Sequence, residues 1–152
     1  MNLHELKGTV TAIGQSAFDN NVVVFAYVEI TDSQGQRTMI EKVAVCNDVG
    51  AVFGAGLSGT FYVDRIFRAQ GWLRCELFGI KTGARSVFDR TDLRRKVAIT
   101  KILVGLLTLP VVGIGLLLLL PGIHLLALSV LHDRRRFFFG TETPAIAQVA
   151  RI

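Results

Sequence analysis

The chain has 152 residues, a net charge of +5 and a hydrophobic fraction of 51%, with a mean hydropathy of +0.47. That length holds one ordinary domain, or a small domain with an appendage, and the apolar excess argues for the second. The first 88 residues carry eight basic and eight acidic side chains while the rest carry nine and four, so the surplus positive charge belongs entirely to the C-terminal part. A neutral N-terminal part lacks the electrostatic attraction that dominates nucleic-acid binding, which makes nucleic acid an unlikely partner.

Strand-period alternation opens the chain. Leu6 to Ile13 is a short strand, and SAFDNN over residues 16–21 reads as a polar turn. Val22 to Thr31 is a strong strand in which Val22, Val24, Ala26, Val28 and Ile30 share a face. DSQGQ is a hairpin loop, with Gly35 free to take the positive φ such turns need, and Arg37 to Cys46 returns with Met39, Val43 and Val45 on one face. Asn47 and Asp48 can cap a short helix through Val49, Val52 and Phe53. Thr60 to Phe67 and Trp72 to Ile80 complete five strands, and residues 82–90 form a join. Five strands with a helix between the third and fourth predict a small OB-like β-barrel over residues 1–88.

From Val97 to Leu131 the only charged side chain is Lys101. Thirty-five residues of helix would reach about 52 Å, against a hydrocarbon core of about 30 Å, so the run has to break. One break lies at Pro110, Gly113 and Gly115; the alternative is Pro121-Gly122, which would leave a single span ending at Leu120. Basic clusters at both ends, Arg94-Arg95-Lys96 and Arg134-Arg135-Arg136, favour the first, because a hairpin keeps both on the cytosolic side. The expected class is therefore an α+β membrane protein: a barrel over 1–88, a transmembrane helical hairpin with basic flanks over 89–139, and a cytosolic tail over 140–152.

The candidate chemistry is sparse. Gly54 to Gly59 satisfies G-x-G-x-x-G, but a strand rather than a helix follows it, so it reads as a loop and no nucleotide cofactor is expected. Cys46 and Cys75 lack metal-binding spacing and read as buried free thiols; no metal is expected. Asp64 and Glu76, in neighbouring strands, read as cross-strand ion pairing on a solvated face rather than as an acid–base pair. His124 is an intramembrane polar residue without an acidic partner in the apolar run, and a neutral imidazole bonded to a backbone carbonyl or a helix neighbour is the simpler reading. Arg134 to Arg136 followed by Phe137, Phe138 and Phe139 suits an anionic lipid surface, as do Arg94, Arg95 and Lys96. Arg65, Arg68, Trp72 and Arg74 surround one turn of the barrel and form the patch expected to bind a partner.

Without a catalytic constellation, the expected function is a non-enzymatic, membrane-anchored binding module with a protein partner, contacts to anionic lipid head groups and scope for homo-oligomers. A channel subunit and a membrane enzyme acting on lipid or envelope precursors are the alternatives. The architecture is similar in outline to membrane-tethered OB-like proteins of bacteria, so the bacterial inner membrane is expected, with the β domain facing the cytosol by its basic flanks. The N-terminus has no apolar signal segment that would export that domain.

Overall fold

The computed structural model describes residues 3–19, 22–66, 74–108, 114–131 and 133–140. They form two compact units, one containing residues 3–91 together with 135–140 and the other residues 92–134.

The first unit is built from β1 (Leu3–Ile13), β2 (Ser16–Asp19), β3 (Val22–Thr31), β4 (Arg37–Cys46), α1 (Asn47–Gly50), β5 (Ser58–Arg65), β6 (Cys75–Lys81) and β7 (Ser86–Phe88). Strands β1, β5, β6, β4 and β3 follow one another around the sheet, and β1 pairs again with β3 to close a five-strand barrel. Closure pairs each of those five strands on both sides over part of its length. The β4–β6 pairing is parallel and the other described pairings are antiparallel. Val10, Val28, Ile30, Val43, Phe61 and Leu77 fill the interior, and Phe25, Phe53 and Val87 pack against them.

Strands β3 and β4 and the start of the short helix lie where the residue pattern puts them. The first strand starts earlier, at Leu3, the fourth expected strand runs Ser58–Arg65, the helix stops at Gly50, and two further segments become strands. Residues 16–19, expected in a turn, extend the hairpin as β2 by pairing with Val22–Phe25, and residues 86–88, expected in the join, pair with Gly79–Lys81 as β7. Both short strands add to the free side of a longer strand already rich in β-forming residues, so that pairing overrides a weak local preference.

The expected faces of β3 and β4 also change partway. Lys42 takes a left-handed conformation, φ 54°, beside the unpaired Ala26, and alternation resets there on both strands. Val28 pairs with Ile40 on the core side, whereas beyond Lys42 the core-side pair is Phe25 with Val43. Met39, expected on the same face as Val43, is consequently 60% exposed. The Lys42 carbonyl accepts the Arg74 N–H at 3.0 Å, which holds the kink against the start of β6.

The second unit comprises α2 (Leu93–Thr108) and α3 (Ile114–Leu131). Asp92 caps α2, its Oδ1 accepting the Arg95 N–H at 3.0 Å. The two helices pack closely where side chains are absent: Gly105 lies against Gly115 and Leu119, and Gly122 against Ile102 and Ala98. Pro121, the rival break, lies inside α3, which continues through it. Together with α4 (Arg134–Phe139), the stretch Gly115–Phe139 is long and apolar enough to cross a membrane, with a mean hydropathy of 2.0 over its best window. Leu107, Leu117, Val130 and Leu131 are each at least 74% exposed. Of the expected break over residues 109–115, positions 109–113 lie outside the described residues, while Ile114 and Gly115 open α3.

Candidate functional site

A second buried face lies on the outer side of the barrel wall. Along β6 the burial is continuous from Cys75 to Ile80: Cys75 and Leu77 face the interior, while Glu76 and Phe78 face away from it and are also buried. β5 repeats the arrangement, with Val63 inside and Tyr62 and Asp64 outside. Phe78 is an extra residue in the β5–β6 ladder, since Leu77 pairs with Val63 and Gly79 with Tyr62. Such a bulge bends the strand and redirects its side chains.

Part of this wall is covered by α4. Phe138 is 1% exposed and clusters with Leu3, Tyr62 and Phe78. Its ring centroid lies 4.8 Å from that of Tyr62 and 5.2 Å from that of Phe88, with Phe139 at 5.7 Å from Phe88. Gly79 makes the seat: a Cβ there would stand 2.5 Å from the Phe138 ring. Lys81 locks the backbone, donating from Nζ to the Phe138 carbonyl while lying 4.8 Å over the Phe138 ring and 5.3 Å over that of Tyr62. Burial pushes the Tyr62 hydroxyl above its ordinary pKa, and the nearby Glu5 carboxylate adds to the shift. The three rings read in the sequence as lipid-inserting groups are thus packed into the protein's own aromatic wall, and the fully buried Phe138 has no surface to offer lipid.

Beside the aromatic cluster the same wall carries buried acids. Asp64 and Glu76 are register partners, and each is 0% exposed. The solvated face expected for them is corrected to a buried one. Cys46 ends β4, and Asp89 follows β7, where its N–H donates to the Phe78 carbonyl at 2.8 Å and its Oδ1 accepts the Thr91 N–H at 2.7 Å. The Cys46 Sγ, a Glu76 oxygen and an Asp89 oxygen lie within 4.8 Å of one another, all in buried residues. The signal for this wall was present in the sequence: Tyr62 and Phe78 share a face with Asp64 and Glu76, and aromatic rings on both strands do not suit a solvated surface.

The remaining candidates separate. Both cysteines are buried and neither is in a disulfide, and burial pushes the Cys75 thiol up while Arg65 and Arg74 pull it partway back. Arg65 and Arg74 are brought together where the Ile66 N–H meets the Arg74 carbonyl at 2.9 Å, and Arg74 also pairs with Glu41. Arg68 and Trp72 lie outside the described residues. Of the expected lipid-facing cations, Arg95, Lys96, Arg135 and Arg136 are exposed, whereas Arg94 is 1% and Arg134 8% exposed and both are withdrawn from the surface. Arg134 and Asp92 form an ion pair at 3.8 Å. His124 is exposed on α3. No family model, curated protein or solved structure matches this chain.

Proposed function

We propose that the chain is a membrane-anchored, non-enzymatic binding module: an OB-like barrel on the cytosolic side, tethered by a transmembrane hairpin formed by α2 and α3. The observation that carries the reading is the meeting of the two ends of the apolar segment. Asp92 opens it and Arg134 closes it, yet their side chains pair at 3.8 Å. A single crossing would hold those ends about 30 Å apart, on opposite sides of the hydrocarbon. The docking of Phe138 on the barrel that the chain left at Thr91 supports the same path.

The surface chemistry of the helices agrees with insertion. Their exposed side chains are mainly Leu, Val and Ile, and the hydroxyls of Thr100, Thr108 and Ser129 donate to carbonyls of their own helices at 3.0, 2.8 and 2.8 Å. Those donors need no water, which suits a bilayer. Helices of 16 and 18 residues span about 24 and 27 Å, slightly less than the hydrocarbon core, so flanking cations and local thinning take up the difference. Exposed Arg95, Lys96, Arg135 and Arg136 are positioned to meet anionic head groups, and their charge favours the cytosolic side. The OB-like reading rests on five closed strands, a single parallel pair and a helix between the third and fourth barrel strands. On such a barrel the outer face of β3–β4, with Tyr27 and Met39 exposed, and the Arg65–Arg74 end are the surfaces for a protein partner.

The test is sided labelling of single-cysteine reporters at positions 20, 112 and 145 in intact and inverted membrane vesicles, with native Cys46 and Cys75 buried. Positions 20 and 145 should label together from the cytosolic side. Position 145 labelling only from outside overturns the hairpin. The binding role is tested by photocrosslinking from position 39 in cells: a discrete adduct lost on Tyr27→Asp is expected, and no adduct from any exposed β3–β4 position overturns it.

A further inference from the structure

We infer that the outer barrel wall holds a divalent transition-metal ion of the zinc class, bound by Cys46 Sγ, a Glu76 carboxylate oxygen and an Asp89 carboxylate oxygen. The three side chains arrive from separate elements, the end of β4, the middle of β6 and the turn after β7, and converge within 4.8 Å of one another. A point equidistant from three atoms at that spacing lies about 2.8 Å from each, close to Zn–S and Zn–O bond lengths of about 2.3 and 2.0–2.2 Å. Movements of roughly 0.5–0.8 Å, within the reach of small χ rotations, would close the coordination.

A second observation concerns Asp89, one of the three ligands. Asp89 is 97% buried by its 3% exposure, and while Oδ1 is held by the Thr91 N–H, Oδ2 is buried with no hydrogen-bond partner among the described residues. A buried carboxylate oxygen without a donor costs free energy, and a cation is the partner that satisfies it most strongly. The donor set selects the ion. One thiolate with two carboxylates suits zinc or cobalt better than magnesium or calcium, which take oxygen ligands alone. On binding, the Cys46 thiol loses its proton to solvent and the sulfur binds as thiolate, so affinity rises with pH. Three protein ligands leave a fourth position for water. The site joins the end of β4 to the turn beyond β7, and it stands independently of the membrane reading.

The experiment uses the full chain, purified in detergent without chelator, with Co2+ alone as the probe. Wild-type protein should retain one equivalent of Co2+ after desalting, show a thiolate-to-cobalt charge-transfer band, and melt at a higher temperature with the metal than without it. Asp89→Asn keeps the size of the side chain and the Oδ1 acceptor, and should weaken Co2+ binding roughly tenfold or more. Cys46→Ser should abolish the band. Near-UV circular dichroism establishes that each variant is folded. Folded wild-type protein that retains no Co2+ overturns the site. A band that survives Cys46→Ser, or an unchanged affinity in Asp89→Asn, also overturns it.

Discussion

The contact between Gly79 and Phe138 allows a test in which one substitution reverses sign. Replacing Phe138 by Ala removes a ring that is 1% exposed and stacked among Tyr62, Phe88 and Phe139, and large-to-small core changes of this kind cost about 3–5 kcal/mol. Undocking of α4 instead of leaving a cavity sets a lower value, so about 2–4 kcal/mol is expected. Gly79→Ala alone introduces a methyl group 2.5 Å from the ring and should cost about 1–3 kcal/mol as overpacking. In the Phe138→Ala background the obstacle is gone, and alanine in a strand is favoured over glycine by roughly 0.5–1 kcal/mol. There Gly79→Ala should be neutral or stabilising, giving a coupling of about 1–3 kcal/mol. Denaturant unfolding of the four proteins in one detergent, followed by near-UV circular dichroism of the aromatic cluster, measures the cycle. Trypsin cleavage at Arg135–Arg136 gives a second reading, because undocking releases that helix to unfold into the protease. Additive effects, or Phe138→Ala with unchanged stability and cleavage, would refute the docking of α4 on the wall.

Other expectations follow from the same geometry. Gly105→Ala places a methyl 2.9 Å from the Gly115 carbonyl and 3.0 Å from the Leu119 nitrogen, backbone atoms that cannot rotate away, and should cost about 1–3 kcal/mol in detergent melts; an unchanged melting temperature would argue against the helix contact. Cys75 and Tyr62 both have raised proton affinity in the fold, so the stability they contribute is complete below their ordinary values of 9.0 and 10.0 and declines as pH rises from there toward the folded values. Denaturant midpoints should hold from pH 7 to about 9 and then fall, and Cys75→Ala should soften the first part of that fall; a midpoint that rises above pH 9 contradicts the burial argument. Cys46 and Cys75, at 2% and 9% exposure, should resist a thiol reagent in the folded protein and react together after unfolding.

How legible the fold was depended on whether one residue's environment is set locally. β3 and β4 run between the expected ends because their β-branched runs are bounded by turn residues, and the apolar segment stands out by composition alone. The reset of alternation at Lys42 was invisible, since no pattern marks a non-glycine residue that takes a left-handed conformation. The outer wall was missed for a different reason. Whether Asp64 and Glu76 meet water is decided by what covers their face, and coverage of the neighbouring Phe78 comes from Phe138, sixty positions away in the chain. Arg134 to Phe139 looked like a lipid motif because the same amphipathic mix serves a bilayer surface and an aromatic seat equally well. Only packing distinguishes them.

The seat for Phe138 also fixes an order of events during synthesis. The strands are complete at Phe88, but the ring that caps their aromatic wall is made fifty residues later, after the whole apolar segment. At 5–20 residues per second the wall stays uncapped for roughly 3–10 s, while the hydrophobic helices are still emerging. The nascent barrel therefore carries an uncapped aromatic patch of Tyr62, Phe78 and Phe88 throughout the interval in which the apolar helices are synthesised. Docking of the last helix ends that exposure, so completion of the barrel reports that the apolar segment has been passed.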